Sequence, residues 1–136
     1  MLRKRILCPE RLRRVPEQFS WVDHRLVRDG RIRGLSHGSL ALYLFLITVG
    51  DADGVSYYAD ATIGSILTLD STELDRYRRE LCRTGLSAYS RPFYQVLSLD
   101  QGGPALCEYP PPSPRRLRGD PIPLNQVLRT VLGGAA

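Results

Sequence analysis

Cysteine is scarce in this chain of 136 residues, and the three present, Cys8, Cys82 and Cys107, stand far apart with no CxxC pair. An odd number at such spacing argues against a disulfide framework or a zinc ribbon, and unpaired thiols suit a reducing cytoplasm. Long apolar runs are missing too. The longest, residues 40–49 with Thr48 inside it, is about half the roughly 20 residues a membrane-spanning helix needs. A buried core helix is expected there, with no membrane partner. The opening MLRKRILCPERLRR is basic but has no apolar stretch of the kind a secretory signal carries. There is no P-loop, no GxSxG elbow and no HExxH pair. Asp23 beside His24 finds no further residue to complete a ligand set, and Asp51, Asp53 and Gly54 lack the later glutamate of a calcium loop. No catalytic residue, cofactor or metal is therefore expected, and the chain is read as a non-enzyme.

What is present is an ordinary globular balance, 43% hydrophobic and 24% charged residues, in a length that suits one domain with a real core. The formal net charge is +5, and its distribution says more than its size. Residues 1–33 hold ten Lys and Arg against four acids, residues 34–100 hold five against eight, and residues 101–136 hold four against two. The basicity thus sits in the flanks, above all in Arg3, Lys4, Arg5, Arg11, Arg13 and Arg14. Such an arm can neutralise phosphates without reading bases, or remain a solvated terminus.

The chain divides into a basic arm and connector over residues 1–35, a folded domain over 36–99, and a Gly/Pro-rich linker with a short helix over 100–136. In the arm, a short helix is expected over 10–14, ended by Pro16, and Trp21 is expected to plug the edge of the core. Ser36 is placed to cap a helix over 37–49 that is apolar nearly all round and so has to be enclosed. Turn residues 51–54 lead to a strand over 55–58. Asp60 is placed to cap a short helix over 61–67, with Ile63, Ile66 and Leu67 on one face. Asp70 followed by Glu73 is a capping box for a helix over 71–83, which puts Leu74, Tyr77 and Leu81 on one face. Gly85 ends it, and strands over 86–89 and 93–99 flank a tight tip at Ser90-Arg91-Pro92. Leu44, Phe45, Leu74 and Leu81 are expected in the core. Beyond residue 100, the proline run 110–114 is expected to be stiff and extended, leading into Arg115, Arg116 and Arg118 and a last short helix over 125–132.

The order is helix, strand, helix, tight break, helix, hairpin. Together with YYADATIGSIL (57–67), LDSTEL (69–74), Arg79-Glu80-Leu81 and Thr84-Gly85-Leu86, it resembles the winged helix-turn-helix domains of bacterial transcription regulators. Phage and plasmid replication initiators and small helix-turn-helix proteins of mobile elements share that arrangement. The sequence departs from the pattern at Gly64, where alanine is usual, at Arg78 and Thr84, often apolar, and at Ser87, usually β-branched. The resemblance implies an α+β, mainly helical fold: a three-helix core with a small antiparallel sheet and wing. It also implies a cytoplasmic protein that binds double-stranded DNA in transcription, replication or transposition. In such a domain the second helix of the turn motif enters the major groove. Carried across, the contact residues are Ser71, Thr72, Asp75, Arg76 and Arg79, with Arg91 at the hairpin tip and Arg11, Arg13 and Arg14 in the arm. Arg76 and Arg79 can bond a guanine edge or a phosphate, or pair with Glu73, Asp75 and Glu80 on the helix surface. The net negative charge of residues 34–100 keeps a second expectation open, a winged helix used as a protein-interaction module, as a homodimer or with another protein.

Overall fold

A computed structural model of the chain describes residues 2–109. The proline run 110–114, the arginines after it and the expected helix over 125–132 lie outside the described residues. Within them the fold is α+β, with four α-helices, one 3-10 turn and a mixed four-stranded sheet. The 3-10 turn is Pro9–Arg11, shorter than the helix expected around it. The α-helices are α1 (Arg25–Arg28), α2 (His37–Val49), α3 (Asp60–Leu67) and α4 (Ser71–Arg83), and the strands are β1 (Val55–Ser56), β2 (Ser87–Ser90), β3 (Phe93–Val96) and β4 (Cys107–Glu108).

Helix α2 begins where Ser36 takes an extended backbone and its hydroxyl oxygen accepts the Ser39 N–H at 3.4 Å. The same residue is tied to α4, because the Glu80 carboxylate accepts both the Ser36 N–H at 2.7 Å and its hydroxyl at 3.2 Å. Leu42, Tyr43, Phe45 and Leu46 are buried. Leu44 is not: it is 61% exposed, which corrects the expectation that it lies in the core. The reason is packing rather than propensity. Helix α2 rests on α4 and β3, which cover one side of it, and the side carrying Leu44 and Thr48 turns outward although its sequence is apolar.

Helix α3 starts one residue earlier than its pattern suggests. Ala59 takes the cap position without a side-chain bond, and Asp60 enters the helix, where its carboxylate accepts from Arg78 at 2.9 Å instead. Ile63 is buried in the core, while Ile66 is exposed. Thr68 closes the helix in the left-handed region, φ 58°. The expected capping box then opens α4: Glu73 N–H donates to Asp70 at 2.8 Å, and Asp70 N–H donates back to Glu73 at 3.1 Å. Leu74, Arg78, Leu81 and Cys82 form its buried face. At its far end Gly85 takes φ +77°, and a Cβ there would run into the Gly103 carbonyl, so only glycine satisfies both the turn and the neighbour.

The sheet runs β1-β3-β2-β4. Strand β3 pairs antiparallel with both β1 and β2, with Ser56 opposite Tyr94 and Tyr89 opposite Tyr94. The fourth strand has no counterpart in the sequence pattern. Residues 101–109, placed in the linker by composition, return to the body, where Ala105 N–H donates to Cys82 O and Cys107–Glu108 pairs parallel with β2. Glycine and proline content marks the loop at 101–104 but carries no information about the pairing of residues 105–109 once the chain turns back. At the other end, the connector is not wholly detached either: Leu26 is buried, and Arg25 pairs with Asp23 and Asp100 at 2.8 and 2.7 Å.

Candidate nucleic-acid interface

Helix α4 has two opposed faces, set by the 3.6-residue repeat. Residues 74, 78, 81 and 82 point into the core, which leaves Thr72, Arg76, Arg79 and Arg83 on the outside, while Ser71, in the row of Leu74 and Arg78, is exposed because it begins the helix. Ser71 and Thr72 lie at the N-terminal end, directly after the capping box, where the helix presents its positive dipole end. Arg76 donates to the Tyr77 hydroxyl at 3.2 Å and lies 5.0 Å from that ring's centre. Arg79 is more restrained. It donates to Asp75 at 2.9 Å, one turn away, and its guanidinium lies 4.3 Å above the ring of Tyr109. Burial opposes ionisation of Asp75, but hydrogen bonding from Arg79 and the neighbouring guanidiniums hold its carboxyl below the ordinary value. Of the ion pairs expected on this helix, Asp75–Arg79 forms. Glu73 serves the cap and Glu80 serves Ser36.

Arg91 occupies the exposed tip between β2 and β3, two residues beyond Tyr89, whose ring lies 4.3 Å beneath the Arg78 guanidinium of α4. Helix and tip are thus linked through one aromatic contact. Arg11, Arg13 and Arg14 are all exposed, and among the described residues no hydrogen bond or ion pair ties them to α4. Among the described residues, the first hydrogen bond from the arm to the body comes further on, where the Ser20 hydroxyl donates to Thr48 O near the C-terminal end of α2, at 3.3 Å. That end lies roughly 18 Å along the helix from the Ser36 contact with α4. Trp21, expected to plug the core edge, is instead 76% exposed. Phe19 beside it is exposed too, and the buried apolar residue of this segment is Leu26 of α1.

The sequence pattern missed the group at the centre of the domain. Arg78 is only 2% exposed, held by Asp60 and surrounded by the rings of Tyr89, Tyr94 and Tyr109 at 4.3, 5.6 and 5.4 Å. Guanidinium stacked on tyrosine faces is an effective way to bury that cation, since the ring quadrupoles offset lost hydration. Burial pushes the Tyr94 phenol well above its ordinary value, so it stays neutral. A signal was present in the spacing: Arg78 sits four residues after Leu74 and four before Cys82, on the core face. The departures at Arg78 and Ser87 belong together here, because Ser87 and Tyr89 share the buried face of β2 that α4 covers.

Among the described residues no three His, Cys, Asp or Glu side chains gather as a metal site requires, and no helix is long and apolar enough to cross a membrane. Comparisons with protein-family models, curated proteins and solved structures give no match to this chain.

Proposed function

We propose that the chain is a winged helix-turn-helix protein that binds double-stranded DNA through α4, acting in the cytoplasm as a regulator or as a replication or transposition accessory rather than as an enzyme. The observation that carries the reading is the outward stripe of α4. Thr72, Arg76, Arg79 and Arg83 are exposed in line on a helix whose opposite face is core, and Ser71 is exposed at its start. The order α2, β1, α3, α4, β2–β3 hairpin, with β1 closing on β3, supports it. Ser71, Thr72, Asp75, Arg76 and Arg79 then face base edges, Arg91 meets a flanking phosphate or the minor groove, and Arg11, Arg13 and Arg14 track the backbone.

The test is titration of the full chain on a selected and a scrambled duplex at two salt concentrations. Arg76→Ala should cost about 1–3 kcal/mol on the selected site and relax preference at one position. Replacing Arg11, Arg13 and Arg14 by alanine should weaken both duplexes alike and flatten the salt slope, by close to one unit per lost phosphate contact. Unchanged binding by the Arg76→Ala, Arg79→Ala double variant would remove α4 from the interface. One observation favours a second reading, a protein-interaction module: Asp75 and Tyr109 already engage Arg79. Failure of the chain to bind either duplex at about 50 mM salt, where phosphate contacts are strong, would put that reading in its place.

A further inference from the structure

At the opposite end of β3 from the Arg91 tip lies a cleft of about 650 Å³. Its walls come from the Phe19–Trp21 strap, the C-terminal half of α2, the turn before β1 and the chain leaving β3. Its lining is apolar and acidic, and five aliphatic side chains, Leu46, Ile47, Val96, Leu97 and Leu99, form part of it. Phe19, Trp21 and Tyr43 supply aromatic surface, while Asp23, Asp51, Asp53 and Asp100 supply carboxylates against a single lining cation, Arg25. Arg25 is already held by Asp23 and Asp100. Asp51 and Asp53 form no ion pair among the described residues. The cleft is therefore an aromatic groove with an acidic rim, fitted to a segment that is both apolar and basic.

The chain carries such a segment. Residues 2–7 read Leu-Arg-Lys-Arg-Ile-Leu, with Leu2 99% and Leu7 78% exposed. This arm is rooted at the mouth of the cleft, through Phe19 and Ser20, yet it leaves its own body. Among the described residues, none from 2 to 19 hydrogen-bonds to the domain, and all are exposed. The eleven residues between Leu7 and Phe19 span up to about 40 Å when extended, enough to reach a neighbouring molecule. Because arm root and cleft share one end of the molecule, two copies related by a two-fold axis can each place an arm in the other's cleft.

We propose that the cleft receives residues 2–7 of a second copy of this chain, so that the protein is an arm-exchanged dimer. Arg3, Lys4 and Arg5 meet the Asp51–Asp53 rim, and Leu2, Ile6 and Leu7 cover Phe19 and Trp21. The cleft meets β3 at Gln95, four residues from Arg91 or about 13 Å of extended chain, so the exchange leaves α4 and Arg91 open and does not rest on the DNA-binding reading.

The experiment is sedimentation of the full chain without nucleic acid, from about 1 μM to about 1 mM, with the emission of Trp21, the single tryptophan, followed in parallel. Concentration-dependent dimerisation with a blue shift of Trp21 is expected. Two charge-reversed variants are then compared: an arm variant (Arg3→Glu, Lys4→Glu, Arg5→Glu) and a cleft variant (Ala52→Lys, Asp53→Lys), which spares the Asp51 turn. Each alone should dimerise at least about 10-fold more weakly. Their equimolar mixture should recover a heterodimer, because glutamate arms then face the lysine cleft while native arms face the native cleft. That recovery also shows that both variants are folded. A wild-type chain that stays monomeric, a dimer indifferent to either reversal, or a mixture that fails to recover overturns the proposal. A Trp21 shift without any change in mass assigns the cleft to the chain's own arm and overturns it equally. Loss of DNA binding with an intact dimer, or the reverse, tells this proposal apart from the functional one.

Discussion

Replacing Gly64 by alanine separates what helix propensity expects from what packing imposes. Gly64 lies inside α3, where alanine is favoured over glycine by about 1 kcal/mol, so the sequence pattern alone expects Gly64→Ala to stabilise the protein. The structure reverses the sign. A Cβ on Gly64 falls 2.6 Å from the carbonyl oxygen of Leu69, roughly 0.8 Å or more inside ordinary contact distance. That carbonyl has little room to retreat. Leu69 N–H is bonded back to Gly64 O at 2.9 Å, and Asp70, the next residue, is fixed by both bonds of the capping box. Forcing a methyl group into a packed site costs about 1–3 kcal/mol, and weakening the Leu69–Gly64 bond adds up to about 1 kcal/mol. Against the propensity gain of about 1 kcal/mol, the net effect is a loss of up to about 3 kcal/mol. The assay is urea unfolding monitored by far-UV circular dichroism, read as a lower midpoint at unchanged slope. Ser65→Ala, on the exposed side of the same helix, is the control and should gain a few tenths of a kcal/mol. A Gly64→Ala protein as stable as the parent, or more so, refutes the reasoning and with it the tight α3–α4 turn.

Thr68 is exposed and left-handed, a conformation that costs a β-branched residue about 1–2 kcal/mol; Thr68→Gly should raise stability by about 0.5–1 kcal/mol after the glycine entropy cost, and a lower melting temperature would contradict it. Hydrogen bonds from Arg25 and Ser98 to Asp100, and from Arg25 to Asp23, hold both carboxyls below their ordinary values. Because the folded values are depressed, their stabilisation is present above the unfolded carboxylate range and is lost as pH falls through the folded values. Acid unfolding of Asp100→Asn should therefore show a shallower pH dependence below about pH 4, and an unchanged profile would mean that the Arg25 clasp adds nothing to stability. Burial, with Cys107 alongside, pushes the Cys82 thiol up to about 12, so the exposed Cys8 should alkylate at neutral pH while Cys82 reacts only on unfolding. The raised thiol binds its proton more tightly when folded, so its contribution fades as pH climbs above about 8.5.

Local features of this chain were legible because their causes are local. Ser36, the Asp70–Glu73 box and Gly85 each act within a few residues, through one capping bond or one backbone angle. The bounds of α2 and α4 come from them, as does the burial of Phe45, Leu74 and Leu81. The outward position of Arg76 and Arg79 was legible for the same reason, since the helical repeat that buries Leu74 and Leu81 turns those two away.

The tertiary structure alone decided the rest. Leu44 is as apolar as its buried neighbours, and only the finite area of α4 and β3 leaves it outside. Asp60 was equally suited to a cap or an ion pair, and the approach of Arg78 from a separate helix settled which. Arg78 looked like a surface charge until three tyrosines, drawn from three different segments, closed around it. Strand β4 has no sequence signature because two residues suffice for it once the edge of β2 stands open beside them. Propensity and spacing determine what a segment can become next to its own neighbours. Which charges are buried, which apolar side chains stay exposed and where a loop returns depend on surfaces that exist only when distant segments meet.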